Sequence, residues 1–244
     1  MSKTEISTIL DHFMEEGIKL TPIGATLLGV PGFDDQIDDF SMVGHNKREE
    51  LTRKTLEALK GATPANDFDR IARDVANERL SSELRLSESH EARVLFNLIS
   101  SPVTSIRQVF EMMNKSEENR GNVTRRMAAI GNALEGWKST LEYVAGLGKT
   151  NSKRQVLATA KQLETFSQGA FTAVAKKFDP SGADSSLIEA ARSAEKACGA
   201  FAVWLRDSYA PQSTPEDGVG EDRYKMWARH FTGADLDQIG RAHV

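Results

Sequence analysis

The chain has 244 residues, enough for one large domain or two small ones with a substantial core. Its 31 basic and 35 acidic residues are mixed along the length and leave a net charge of −4, which excludes the basic stripe that nucleic acid or an anionic membrane surface requires. One cysteine excludes an internal disulfide framework, and no run approaches the roughly 18 apolar residues of a membrane-spanning helix, so the default address is the cytoplasm.

Helical periodicity dominates from the start, and strand signals are nearly absent. The first helix runs to Leu20, with Ser2 and Glu5 spaced as a capping box and Ile6, Ile9, Leu10 and Phe13 on one face. Asp11, Glu15 and Glu16 interrupt it where a signal peptide would be apolar. Segments 48–60 and 67–84 read as helices, the second laced with exposed charge pairs such as Asp69 and Arg73. Ser101 and Pro102 form a cap-then-proline start for a helix bearing Ile106, Val109, Phe110 and Met113.

The second half carries the strongest pattern. Val123, Met127, Ile130, Leu134, Trp137, Leu141 and Val144 are spaced alternately by four and three residues, which keeps them on one stripe, and Gly146 and Gly148 supply the stop. A further helix is expected after Asn151, carrying Val156, Ala160, Leu163, Phe166, Ala170 and Val174 as far as Phe178. A third opens on a capping box of Ser186 and Glu189, with Leu187, Ala191, Ala194, Cys198, Phe201 and Leu205 facing inward. Each spans about 25 residues, or roughly 37 Å. Short connections between long helices imply an all-α fold, a bundle-like array of antiparallel neighbours. The polar segment 211–220 reads as a linker, followed by a short amphipathic piece, 221–231.

Three partial motifs fail on spacing. Gly146-Leu147-Gly148-Lys149-Thr150 resembles the end of a phosphate loop, but Tyr143 stands where a glycine is needed and a helix precedes it, so it reads as a helix stop. His90-Glu91 opens a zinc-binding His-Glu-x-x-His, but Val94 occupies the second histidine position. Asp34, Asp35, Asp38 and Asp39 could hold calcium, yet the glycine and terminal glutamate of a calcium loop are missing, and aspartates capping helix ends are the simpler reading. His12, His45, His90, His230 and His243 show no ligand spacing, and Cys198 lies on an apolar stripe. No residue is assigned a catalytic or metal-binding role.

Particular segments nevertheless resemble a bacterial family catalogued as domain of unknown function 885. They are Ala25-Thr26-Leu27-Leu28-Gly29, Gly32-Phe33-Asp34-Asp35, Asp38-Asp39-Phe40-Ser41, the arginine and leucine pattern of 48–59, Ile106-Arg107-Gln108-Val109-Phe110 with Met113, and Arg126-Met127-Ala128-Ala129-Ile130 leading to Leu134-Glu135-Gly136. The closest correspondence is late, in Gly220-Glu221-Asp222-Arg223-Tyr224, Trp227-Ala228-Arg229 and Gly233-Ala234-Asp235-Leu236-Asp237. The resemblance implies an all-helical, zinc-peptidase-like hydrolase, with zinc on a His-Glu-x-x-x-Gly-His-His helix in the family's second half and a peptide as substrate. The chain then corresponds to the N-terminal portion, 1–238, of a single larger domain and lacks the zinc site; its partner is the missing C-terminal half. Ile239-Gly240-Arg241-Ala242-His243-Val244 matches one reading frame of a common sequencing adapter and is expected to be a non-native tail.

On the piece nearest the missing half, Tyr224, Arg229 and His230 are candidates for substrate binding in the intact protein, since an arginine can clamp a carboxylate bidentately. Ordinary helix docking is the simpler role for them. Two functional expectations follow. An incomplete hydrolase leaves an apolar face uncovered. A self-contained helical interaction module closes its core and keeps a polar surface along the last three long helices.

Overall fold

The computed structural model describes residues 3–94 and 96–236, and among them every regular element is helical apart from an isolated parallel bridge between Ser152 and Thr214. In chain order the helices are α1 (Glu5–Leu20), α2 (Pro22–Leu27), α3 (Met42–Gly61), α4 (Asp67–Glu88), α5 (Glu91–Val94), α6 (Pro102–Met112), α7 (Arg120–Ala128), α8 (Ile130–Gly146), α9 (Lys153–Phe166), α10 (Ala170–Phe178), α11 (Ser185–Trp204) and α12 (Gly220–Thr232). A π-helical turn, Leu205–Tyr209, and a 3-10 turn, Ala210–Gln212, follow α11. No helix among the described residues is long and apolar enough to cross a membrane.

Contacts divide the described chain into two compact units, one of residues 3–17, 48–93 and 218–236 and one of 18–47, 94 and 96–217. The first has a small core of Ile6, Leu59, Ala62 and Leu80, against which Ile9, Leu10, Phe13, Leu56, Ala72 and Ala76 pack. The expected inward face of α1 is therefore present. Ser2 lies outside the described residues; Thr4 caps α1 by accepting from the Ser7 amide at 3.2 Å, and Glu5 accepts from the Thr63 amide at 3.3 Å. Asn66 caps α4 through the Asp69 amide.

Asp69 itself departs from expectation. It is buried, accepting from the Thr4 hydroxyl at 2.8 Å and the Ala65 amide at 3.0 Å, while Arg73 turns to Asp74 at 3.2 Å. Donors waiting at the start of α4 outcompete a surface ion pair, because a buried carboxylate without partners is far costlier than an exposed arginine without one.

In the second unit the row from Val123 to Val144 is buried at all seven positions, across α7 and α8. Facing it are Val156, Ala160 and Leu163 of α9, Phe171, Val174 and Phe178 of α10, and Leu187, Ala191, Ala194, Cys198 and Phe201 of α11. Helix α11 packs against α7, α8, α9 and α10. Trp137 lies against Phe201, with ring centroids 5.1 Å apart and planes 26° from parallel, and meets Phe96 edge-on at 5.0 Å. Small residues allow close approach: a Cβ at Gly131 would sit 3.8 Å from that of Ala197.

Three boundaries differ from the sequence reading. The row bends at Ala129 without losing its register. The single helix expected over 151–178 breaks at Gly169, whose φ of +106° a side chain would resist, giving α9 and α10. Helix α11 is capped by Asp184, which accepts from the Ser186 and Leu187 amides at 3.0 and 3.1 Å, so Ser186 is not the cap. Of the expected linker, Thr214 is tied to Lys153 and Thr150, and Asp217 pairs with Arg154.

Candidate functional site

The three partial motifs resolve into structural roles. After α8, Gly148 adopts φ +77° and the Gly148 and Lys149 amides return to the Ala145 and Val144 carbonyls, closing the helix end. His90 occupies a left-handed turn, φ 62°, and Glu91 turns inward.

The four aspartates do not converge on a point. Asp38 accepts from the Ile23 amide at 2.9 Å, at the start of α2, and Asp34 from the Thr26 hydroxyl at 2.7 Å. Asp35 pairs with Arg125 at 3.2 Å, and Asp39 accepts from the Ser41 amide at 2.9 Å just before α3. Their organising partner is Arg126, a fully buried guanidinium. Its Nε donates to the Gln36 carbonyl at 2.6 Å, and its Nη2 to the Phe33 carbonyl at 2.7 Å and the Thr26 hydroxyl at 2.8 Å. Burial lowers its pKa, while Asp34, Asp38 and Asp35 pull it back up. The acidic loop thus surrounds a cation supplied by the chain itself.

The first unit holds the candidate substrate residues on α12. This helix has no buried residue and is held largely by charge. Glu91, with its side chain 4% exposed, accepts from Arg223 Nε at 2.9 Å and Trp227 Nε1 at 3.4 Å. Arg229 reaches Glu78 of α4 at 3.3 Å and Asp235 at 2.6 Å, and those carboxylates, Asp235 foremost, raise its pKa. Arg79 donates to the carbonyl of His230. The His230 ring meets Trp227 and Phe231 edge-on; its Nδ1 is buried without a hydrogen-bond partner. Burial, then the charge of Arg79, lowers the His230 pKa against the pull of Glu78. Tyr224 lies half-buried on the same helix. A substrate carboxylate seeking Arg229 must displace Asp235.

Sequence reasoning passed over the charges buried deepest here. Arg93 and Glu49 pair at 2.6 Å, with side chains 3% and 10% exposed, and Ser87 donates to the same carboxylate at 2.8 Å. Burial pushes the Glu49 pKa up, but the Ser87 hydroxyl, Arg53 and Arg93 outweigh it and hold it below the usual range. These partners are some 40 positions apart, so no local spacing announces them. Between α3 and α4 an open cleft of ≈ 530 Å³ is lined by Leu56, Lys60, Asn77 and Ser81 among others. Among the described residues no three His, Cys, Asp or Glu side chains are placed to hold a metal ion.

One surface feature stands apart. On α4, Phe68, Ile71 and Val75 follow one another at three- and four-residue spacing and are 79%, 54% and 57% exposed.

Comparison with known proteins gives a single family. Residues 22–241 match the model of a family described as "Bacterial protein of unknown function (DUF885)". No curated protein matches the chain.

Proposed function

The chain belongs to the DUF885 family, and we propose that it forms the N-terminal helical region of a zinc-dependent, peptidase-like hydrolase. On this reading the zinc-bearing helix lies in a later part of a longer polypeptide, and residues 1–244 are inactive alone. The residues described here do not provide a zinc site, so no step of metal chemistry is assigned to them. Zinc bound elsewhere in the polypeptide would polarise a scissile carbonyl and activate water. The contribution of this chain is to scaffold that site and, through α12, to face substrate.

The observation that carries the reading is the bare apolar row on α4. Three large apolar side chains more than half exposed on one helix face amount to a few hundred Å² of contiguous apolar surface, the extent at which a monomer's surface calls for a covering element. A self-contained module does not call for it.

A second reading, a non-catalytic interaction module, draws support from the other unit. There the core is closed, and the exposed apolar residues of α8, α9 and α11 (Tyr143, Leu157 and Val203) are single. The experiment that separates the two is hydrolysis of a mixed peptide set by the product of the longer gene, with and without a chelator, beside residues 1–244 as control. Chelator-sensitive hydrolysis confined to the longer product supports the hydrolase. Absence of hydrolysis from a longer product that lacks a His-Glu-x-x-x-Gly-His-His motif leaves the module.

A further inference from the structure

Phe68, Ile71 and Val75 belong to a longer row on α4. Continued at helical spacing, the row passes Glu78 and Arg79, which hold α12, and reaches Ser82 and Leu86, which are buried. The contacts also fix the direction of α12: Arg223 and Trp227 lie at Glu91, and Arg229 and His230 lie at Glu78 and Arg79, so α12 runs antiparallel to α4. Its C-terminal end, with Phe231 75% exposed, points toward the bare half of the row.

We propose that the bare half of the row is the seat of an amphipathic helix that continues the path of α12, antiparallel to α4, and belongs to a later part of the same polypeptide. The proposal rests on the hydrolase reading above and names the contact by which the remaining portion docks. The row from Phe68 to Val75 is about 10 Å long, so about two helical turns cover it. The incoming helix presents apolar side chains at three- and four-residue spacing, and no net charge is required of it. Arg70 pairs with Asp67 at 3.4 Å and Arg73 with Asp74 at 3.2 Å, so the flanks of the row are already neutralised.

Area argues for a tethered helix over a second copy of the chain. A few hundred Å² falls short of the roughly 800 Å² per partner that a standard stable interface buries. A tethered helix gains effective concentration from its link and needs less area.

The test is thiol accessibility. The native Cys198 is buried and its pKa is pushed up to about 12 by burial, so a cysteine introduced by Ile71→Cys or Val75→Cys is the one that N-ethylmaleimide modifies. Both substitutions are at exposed positions and leave the core intact. Expected are fast modification in residues 1–244 at every protein concentration and modification slowed at least about tenfold in the longer gene product, as a closed local equilibrium requires. Equal rates in the two proteins overturn the proposal, as does a gene that ends at codon 244. Slow modification of residues 1–244 that deepens with concentration overturns it in favour of self-association. Modification needs no activity: protection without hydrolysis sinks the hydrolase reading and keeps the docking, and hydrolysis without protection does the reverse.

Discussion

Replacing Arg126 with methionine tests whether the acidic loop is built on a buried cation. The guanidinium is wholly enclosed, and its Nε and Nη2 serve Gln36, Phe33 and Thr26 at 2.6–2.8 Å. Methionine has similar length and fills much of the space, so little of the cost is cavity. What is lost is the donor set for two buried carbonyls and the counter-charge for Asp34, Asp35 and Asp38. Breaking a buried charged network by removing one partner costs about 3–5 kcal/mol, and that is the expected loss for Arg126→Met. Arg126→Lys keeps the charge but cannot reach the Gln36 and Phe33 carbonyls together; about 2 kcal/mol is expected. Urea unfolding followed by tryptophan emission reads both, since Trp137 and Trp204 lie in the same unit. Chymotrypsin provides a local readout at Phe33 and Phe40. A cost for Arg126→Met under about 1 kcal/mol, within the range of ordinary surface substitutions, together with unchanged cleavage at both phenylalanines, refutes the reasoning.

Trp137→Ala removes the ring shared by Phe96 and Phe201 and is expected to cost about 3–5 kcal/mol, measured by the same unfolding curve. Asp184→Ala is expected to cost about 1 kcal/mol as a lost helix cap. The Asp184 pKa is held below its ordinary 3.8 first by the Ser186 hydroxyl and then by the Leu187 amide, so its contribution is complete above pH 3.8 and is lost as pH falls through the lower folded value. Asp184→Asn keeps the cap and flattens that acid limb. His230 is depressed below 6.5, so docking of α12 is strongest above pH 6.5 and weakens as pH falls through the folded value. Trp227 emission, taken as the difference from Trp227→Phe, is expected to shift to the red across that window and to stay constant in His230→Gln.

Apolar rows were legible wherever one helix face meets one core. Val123 to Val144 could be read because alternating steps of three and four leave no other periodicity, and the bend at Ala129 costs nothing in register. The break at Gly169 was hidden because Phe166, Ala170 and Val174 keep helical spacing across it, and only the backbone value of Gly169 reveals the kink. Caps were ambiguous for a local reason: Asp184 and Ser186 both offer oxygens, and a carboxylate placed to accept from two amides wins. Buried charges were illegible altogether. Arg126, Glu91 and the pair of Glu49 with Arg93 look like surface residues in the sequence, and their partners stand tens to more than a hundred positions away. For Tyr224, Arg229 and His230, the sequence indicated the helix that carries them. It gave no sign that Asp235 and Glu78 hold the Arg229 guanidinium.

Zinc content tests the central claim most directly. Residues 1–244 and the longer gene product, purified side by side and measured by elemental mass spectrometry, are expected to hold negligible zinc and about one zinc per chain, respectively, as the single-metal site of a zinc peptidase requires. Stoichiometric zinc in residues 1–244, or a longer product free of zinc after supplementation, contradicts it.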